Sequence, residues 1–195
     1  TEDNIKFMER YFHVSKVRSY TELKEVNKFC DAFMLGSDQL WVSAYNKILG
    51  YTFYLDFVDS DKKKLAYATS MGYDKYAGNA EDKKIVKTLL KRFDGISVRE
   101  TDSVELCKKE FDLDIVRNLD PVFLCEQEHY NTLADESQIE INGSYNLAYI
   151  LDPTDEKKEA IKLLETQTGL ETKIILDMKS YEQAYKKWSD MSIVG

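Results

Sequence analysis

Three short apolar runs of this chain are each followed at once by polar side chains that could bind or activate a substrate. The runs span 32–35, 65–68 and 96–98. Hydroxyl, amide, carboxylate and guanidinium groups in such places can hold anions and hydroxyls by hydrogen bonds. The candidate site residues that follow the runs are Gly36, Ser37, Asp38, Gln39, Trp41, Thr69, Ser70, Gly72, Arg99 and Glu100.

These runs predict buried strands of a parallel sheet, because each is short, apolar or β-branched and bounded by a turn signal. In an open parallel sheet, ligands bind beyond the carboxyl ends of the strands. Gly36 permits a tight turn and the close approach of another molecule there. We therefore expect Asp38, Ser70 and Arg99 to share one rim that forms an anion-binding pocket. An ordinary exit from a strand, with Asp38 capping the next element, is the alternative.

Four sequence blocks extend this pattern over residues 30–125. They are GSDQLW at 36–41, YATSMG at 67–72, SVRE at 97–100 and DPVFL at 120–124. In this order and at this spacing, the blocks resemble the polysaccharide pyruvyl transferase family. The resemblance implies transfer of the enolpyruvyl group of phosphoenolpyruvate onto a sugar of a cell-surface polysaccharide, where it closes into a pyruvate ketal. It also implies a glycosyltransferase B-type architecture, with the site between two Rossmann-like halves.

The resemblance also marks what this sequence lacks. A complete family member begins with a strand and a glycine-containing loop, and its second domain carries a Ser-Phe-His-type motif. Neither occurs in these 195 residues. We therefore expect a fragment, cut at both ends, that is inactive by itself and whose proton-donating histidine lies outside it.

Arg99 is the strongest candidate for catalysis because a planar guanidinium can hold a carboxylate or a phosphate through two hydrogen bonds. Phosphoenolpyruvate carries both groups. The alternative is a structural ion pair with Glu100 or with Asp102. Asp38 is the second catalytic candidate, as a base toward a sugar hydroxyl or as a group that orients it.

The other candidates are assigned to substrate binding. Gln39 could bind sugar hydroxyls, and Trp41 could stack on a sugar, although we favour a core position for its ring. Thr69 and Ser70 could donate to phosphate beside Gly72, with ordinary turn chemistry as the competing explanation. Asp120, which precedes a proline, is predicted to form a turn near the cleft that the resemblance implies.

The fold class predicted is α/β, a Rossmann-like parallel sheet flanked by helices. Its domain spans 1–143 and lacks its first strand and loop, and 144–195 is the truncated beginning of a second Rossmann-like domain. There we expect a strand over 145–151, a helix over 155–168 and a strand over 173–176, since Gly169 stops the helix. Residues 53–58 alternate enough to predict a strand or a hairpin arm.

Composition limits the partners. The net charge of −8 argues against a nucleic-acid partner. No apolar run approaches the ~20 residues that span a bilayer, and the three widely spaced cysteines fit a cytoplasmic protein, including one at the inner face of the membrane. We expect no metal, no cofactor, and phosphoenolpyruvate with a glycan or lipid-linked sugar acceptor as substrates. An exposed sheet edge in the second domain would favour homo-oligomers.

Two other functions remain open. A glycosyltransferase of the same fold would use a nucleotide sugar in the same cleft, and a non-catalytic module would keep the fold to bind or assemble glycans. A serine hydrolase is disfavoured because no GxSxG motif occurs, and a dinucleotide site because no GxGxxG occurs.

Overall fold

The computed structural model describes residues 2–136, 142–176 and 188–193. The chain divides into two compact units, Thr1–Leu133 and Ala134–Gly195. Each unit has its own sheet and its own buried core. The candidate site residues all belong to the first unit.

The first unit is built on a four-stranded parallel sheet. Its strands are β1 (Ala32–Leu35), β2 (Lys63–Thr69), β3 (Gly95–Val98) and β4 (Val116–Arg117), in the order β1-β2-β3-β4. Every neighbouring pair is parallel, with Leu35 opposite Ala66 and Ser97 opposite Val116. The predicted α/β class and the parallel sheet with its flanking helices are confirmed.

Short helices and turns connect the strands. Asn79 begins the helix Ala80–Leu90 by accepting the amide N–H of Asp82, and a π-helical turn, Cys107–Phe111, extends the helix Thr101–Leu106. The helices of this unit are α1 (Glu2–Tyr11), α2 (Tyr20–Glu25), α3 (Asn46–Leu49), α4 (Ala80–Leu90) and α5 (Thr101–Leu106), and most of α6 (Gln127–Asp135) also belongs to it. The 3₁₀ turns are Val26–Lys28, Ser43–Tyr45, Thr52–Tyr54 and Pro121–Leu124.

The core of this unit lies on one face of the sheet. Because the strands follow one another in sequence order, right-handed crossovers place every connection on the same side. The burial agrees: alternate strand residues pack with side chains from all three connections. This core contains Leu35, Ala66 and Val98 from the strands, and Trp41, Tyr54, Val58, Val86, Leu90, Leu106 and Phe111 from the connections.

The opposite face of the same sheet is open. Met34 is 67% exposed, Leu65 38% and Val116 60%. Met34 and Leu65 alternate with the buried residues of β1 and β2, so the pleat sends their side chains to the other face, whereas both residues of the short strand β4 are exposed. The sheet is therefore half-covered within the described residues.

The strand or hairpin arm predicted over 53–58 is wrong. The 3₁₀ turn Thr52–Tyr54 occupies its beginning, and Leu55 has φ of 53°, which no extended strand adopts. The Leu55 amide donates to the Thr52 carbonyl, and the Val58 amide donates to the Leu55 carbonyl. A coiled connection lying on the sheet buries Tyr54, Leu55 and Val58 without strand pairing, and the alternation in the sequence imitates a strand.

An irregularity interrupts the pairing of β2 with β3 just before the carboxyl edge of the sheet. Ala68 is fully buried with φ of 50°, and the register shifts between Ala66 and Thr69. The Ser97 hydroxyl fills the gap: it accepts the amide N–H of Ala68 at 2.9 Å and donates to the Ala66 carbonyl at 3.3 Å. Bulges of this kind re-aim the residues that follow them.

Replacing Ser97 with alanine should therefore cost about 1–3 kcal/mol of unfolding free energy, because the buried amide of Ala68 loses its acceptor. Urea denaturation measures the loss. Thr88→Ala is the control, since its exposed hydroxyl only bonds back to the Lys84 carbonyl of its own helix, and a change within about 0.5 kcal/mol is expected there. Equal stability of Ser97→Ala and the parent protein would contradict the role of this hydroxyl.

The second unit contains the βαβ elements predicted for it. Strands β5 (Asn146–Ile150) and β6 (Thr172–Leu176) pair in parallel around α7 (Asp155–Thr168). Thr154 caps α7 at its start, and Gly169 ends it with φ of 69°, a left-handed conformation that favours glycine. Ile161, Ile174 and Trp188 form the buried centre of this unit.

Candidate functional site

The candidate residues lie where parallel strands end. Ser37 follows β1, Ser70 follows β2 and Arg99 follows β3, so all three lie at the carboxyl edge of one sheet. Backbone hydrogen bonds tie these segments together. The Ser70 amide donates to the Asp38 carbonyl at 2.8 Å, and the Arg99 amide donates to the Thr69 carbonyl at 3.3 Å.

Five side chains at this edge form a continuous chain of hydrogen bonds, called here the strand-end cluster: Ser37, Arg99, Glu100, Ser103 and Asp120. Ser37 Oγ donates to Asp120 Oδ2 at 2.7 Å, and Arg99 Nη1 donates to the same oxygen at 3.3 Å. Arg99 Nε donates to Glu100 Oε1 at 2.9 Å, and Ser103 Oγ donates to Glu100 Oε2 at 3.3 Å. The ends of β1, β3 and β4 are thus joined.

Arg99 is the centre of this cluster and keeps donors for a ligand. Its side chain is 32% exposed. The hydrogen bond to Glu100, followed by the bond to Asp120, raises the pKa of Arg99 above its ordinary value, so the group is always charged. Among the described residues, no acceptor bonds to Nη2. Arg99 is therefore ion-paired, as the structural alternative predicts, and its Nη2 group still has donors for a ligand.

Asp120 was not among the predicted site residues. Its Oδ1 accepts the amide N–H of Val122 at 3.1 Å and so begins the turn Pro121–Leu124, as the Asp-Pro pair predicts. Its Oδ2 instead accepts hydrogen bonds from Ser37 and Arg99 of the cluster. The two oxygens thus have separate partners, and only the second makes the residue part of the site. The hydrogen bond from Ser37, then that from Val122 and the nearby Arg99, lower the pKa of Asp120.

Replacing Asp120 with asparagine should flatten the dependence of unfolding free energy on pH between about pH 5 and pH 3. Since its pKa is lower in the folded protein, the carboxylate stabilises the fold above its unfolded pKa, and this contribution is lost as the pH falls through the folded pKa. Urea denaturation at several pH values in this window measures both proteins. Parallel curves for the parent protein and Asp120→Asn would contradict the assignment.

A polar cleft of about 130 Å³ adjoins the cluster. Four predicted residues line it: Gln39, Ser70, Gly72 and Glu100. Asp74 and Asp102 add carboxylates, Tyr73 adds an exposed aromatic ring, and none of the lining side chains is cationic. Such a surface accepts hydrogen bonds from hydroxyl groups and repels anions.

Gly72 shapes this cleft through its backbone. Its φ is 75°, and a Cβ at this position would lie 2.5 Å from Cγ2 of Val42. The Gly72 amide donates to Ser70 Oγ at 3.0 Å, which holds the buried Ser70 hydroxyl at the cleft wall. Both the conformation and the close approach therefore require glycine here.

Several predicted residues do not join the strand-end cluster. Asp38 is exposed, and its Oδ1 accepts the amide N–H of Gln39 at 2.7 Å. Gly36 is exposed with open space where a Cβ would be, and Thr69 is buried with its hydroxyl donated to the Gly36 carbonyl at 3.1 Å. Thr69 is thus used to hold the β1 turn, whereas Asp38 keeps an accessible carboxylate beside the site.

Trp41 lies in the core. Its side chain is 1% exposed, its ring stacks on Tyr54 with centroids 5.8 Å apart, and Nε1 donates to the Phe53 carbonyl at 2.7 Å. A ring buried in this way presents no face on which a sugar could stack. The position agrees with the core role that we favoured for Trp41.

Other reactive groups lie apart from the site. Burial raises the pKa of the Cys107 thiol to about 12, which leaves it unreactive at neutral pH. Within residues 2–136, 142–176 and 188–193, no three His, Cys, Asp or Glu side chains are grouped to hold a metal ion. In the same ranges, no helix has the length and apolar character to cross a bilayer.

The fold and these side chains define an α/β protein whose guanidinium, carboxylate and hydroxyl groups meet at the carboxyl edge of a parallel sheet. The model of the family described as polysaccharide pyruvyl transferase matches residues 2–193. The chain therefore belongs to the polysaccharide pyruvyl transferase family, as the four sequence blocks predicted. No curated protein and no solved structure matches it.

Proposed function

We propose that this chain carries the site at which a pyruvyl group is transferred from phosphoenolpyruvate to a sugar of a cell-surface polysaccharide. The observation that carries the proposal is the strand-end cluster, because it fixes one guanidinium, with free donors, at the edge where ligands of parallel sheets bind. Membership of the family supports pyruvyl transfer in general.

Arg99 holds the anionic donor in this proposal. The cluster contains one cation and two carboxylates, so an anionic donor must compete with one of these carboxylates for the guanidinium. Glu100 is the one displaced: its side chain is 40% exposed, and Ser103 retains it after it leaves Nε. Nε and Nη2 then form the two-donor edge that matches a carboxylate or a phosphate.

The acceptor sugar binds in the polar cleft. Carboxylates of Asp74, Asp102 and the displaced Glu100 accept hydrogen bonds from its hydroxyls, and Gln39 adds an amide. The absence of a cation among the lining residues keeps the anionic donor out. The donor therefore binds at Arg99, on one side of Glu100, and the acceptor binds in the cleft, on the other side.

Formation of the ketal consumes two hydroxyl groups of the sugar, and with both of them the reaction balances. The methylene of the donor gains one proton and becomes a methyl group, two sugar oxygens bond to the quaternary carbon, and the bond from that carbon to the phosphate oxygen breaks. One hydroxyl proton is thus accounted for by the methyl group, and the other leaves with the phosphate. Asp38 orients or deprotonates the attacking hydroxyl.

The test is product analysis with the full-length gene product, phosphoenolpyruvate and candidate glycan or lipid-linked acceptors. The proposal expects a product heavier by one carboxyethylidene group and one phosphate released per product. A hexose increment from a nucleotide sugar would instead identify a glycosyltransferase of the same fold. Acceptor binding without any donor turnover would identify a non-catalytic glycan-binding module.

The partition into domains 1–143 and 144–195, the glycosyltransferase B-type architecture and the homo-oligomer are part of the same proposal. The cytoplasmic location follows from the donor, since phosphoenolpyruvate is made in the cytoplasm.

A further inference from the structure

We infer that Asp120 is a positioning residue that fixes the plane of the Arg99 guanidinium. Asp120 also orients the Ser37 hydroxyl, and the two side chains together form a clamp that holds Arg99 Nη1. The inference rests on the proposed role of Arg99 in donor binding. The observation behind it is the hydrogen bonding of the Asp120 carboxylate. One oxygen, Oδ1, accepts from the Val122 amide, and the other, Oδ2, accepts from both the Ser37 hydroxyl and Arg99 Nη1.

Asp120 is itself rigidly placed. Pro121 fixes the backbone φ of the turn that follows, and the Val122 amide holds Oδ1 at 3.1 Å. Tyr130 of α6 braces the same turn by donating its hydroxyl to the Val122 carbonyl at 2.6 Å. Because the turn cannot rotate without breaking these bonds, Oδ2 is a fixed point against which Arg99 is aligned.

Ser37 is oriented by the same oxygen. Its proton is donated to Asp120 Oδ2 at 2.7 Å, so its lone pairs are available to Arg99 Nη1, 3.4 Å away. The hydroxyl therefore accepts from the guanidinium and is not a donor to phosphate. Nη1 thus has a charged and a neutral acceptor, both fixed by the ends of other strands.

Arg99 needs such a clamp because the donor displaces its other partner. A free arginine side chain samples many rotamers and loses this freedom when it is held in one place. Once Glu100 leaves Nε, the bonds of Nη1 to Asp120 and Ser37 are the remaining constraints on the guanidinium within the described residues. Asp120 thus reduces the ordering that donor binding would otherwise require.

Calorimetric titration with phosphoenolpyruvate and NMR of the Arg99 side chain together test the positioning role of Asp120. Asp120→Asn, which keeps the shape of the side chain, should weaken donor affinity about tenfold, and it should add nothing when Arg99 is already alanine. In the parent protein, restricted rotation should separate the Arg99 Nη signals. In Asp120→Asn they should merge, and Ser37→Ala should narrow their separation.

Asp94→Asn is the matched control. Asp94 is also an ion-paired carboxylate with a lowered pKa, bound to Lys63 Nζ and the Lys64 amide, and its side chain is 35% exposed against 29% for Asp120. It lies before β3, at the opposite edge of the sheet. We expect this variant to change neither the donor affinity nor the Arg99 signals.

The outcomes separate the two proposals. Unchanged Arg99 signals in Asp120→Asn, or an equal loss of affinity in the parent and Arg99→Ala backgrounds, would overturn the positioning role. A parent protein that binds no phosphoenolpyruvate would overturn the proposed donor site, whereas the NMR comparison would still decide whether Asp120 holds Arg99. Should Asp120→Asn fail to fold, Ser37→Ala gives the same comparison with a smaller effect.

Discussion

Arg99→Ala is expected to lower kcat/KM for phosphoenolpyruvate about a thousandfold, the order of loss found when one partner of a hydrogen-bonded charge pair is truncated. The guanidinium is the one cation of the strand-end cluster, and its removal leaves Glu100 and Asp120 facing an anionic donor. Both the lost attraction and the added repulsion therefore act in the same direction. Initial-rate kinetics with the full-length gene product measure the change.

Arg117→Ala is the matched control for this prediction. Arg117 ends β4 at the same edge of the sheet, is exposed, and donates at 3.3 Å to Oγ1 of Thr101, which is not a residue of the cluster. Its removal takes away the same charge from the same region but should change kcat/KM little. Equal losses in both variants would show that general electrostatic attraction, and not the cluster, binds the donor.

Arg99→Lys refines the same argument. Lysine keeps the charge but cannot bond Asp120 and the donor in one plane, as the guanidinium does once Glu100 is displaced. A loss close to that of alanine would indicate that geometry dominates, whereas a loss of tenfold or less would indicate that charge suffices. The crowded hydrogen bonding of the guanidinium favours the first result.

The edge at which the site lies could be predicted from sequence because apolar runs with abrupt polar ends specify both a strand and its direction. In a parallel sheet, direction alone places the residues after each strand at a common edge. Ser37, Ser70 and Arg99 therefore lie at one edge without any information on strand order. The order, and with it the contact of β4 with β3, needed the structure.

Asp120 could not be assigned from sequence for a physical reason. An aspartate before proline has a sufficient local explanation as the start of a turn, and that explanation is correct for Oδ1. The role of Oδ2 depends on Ser37, which is 83 residues away. The role of Oδ1 can therefore be predicted from the local sequence, whereas the role of Oδ2 can be seen only in the tertiary fold.

The segment 53–58 failed in the opposite way. Its apolar residues are buried in a connection and not in a strand, and the buried ones fall in two adjacent pairs, Tyr54 with Leu55 and Phe57 with Val58, instead of at alternate positions. The positive φ of Leu55 is invisible in the sequence, because leucine rarely adopts it. Tertiary burial of Tyr54 and Val58 overrides local preference here.

Trp41→Ala is expected to cost about 3–5 kcal/mol of unfolding free energy, the usual loss for a large buried aromatic ring. The ring stacks on Tyr54, meets Phe93 edge-on at 6.1 Å, and satisfies the Phe53 carbonyl. Removing it opens a cavity beside the rings of Tyr54 and Phe93. This loss is a large part of the stability of an ordinary domain. Chemical denaturation followed by circular dichroism measures it.

Trp41→Phe separates the core role from a sugar-stacking role. It retains most of the packing but leaves the Phe53 carbonyl without its donor, which should cost about 1–3 kcal/mol. Phe29, which is 84% exposed, is the control, and Phe29→Ala should change stability by less than about 0.5 kcal/mol. Because the Trp41 ring is enclosed, KM for the acceptor should stay unchanged in Trp41→Phe. A variant with full stability and a raised acceptor KM would instead place this ring in contact with the sugar.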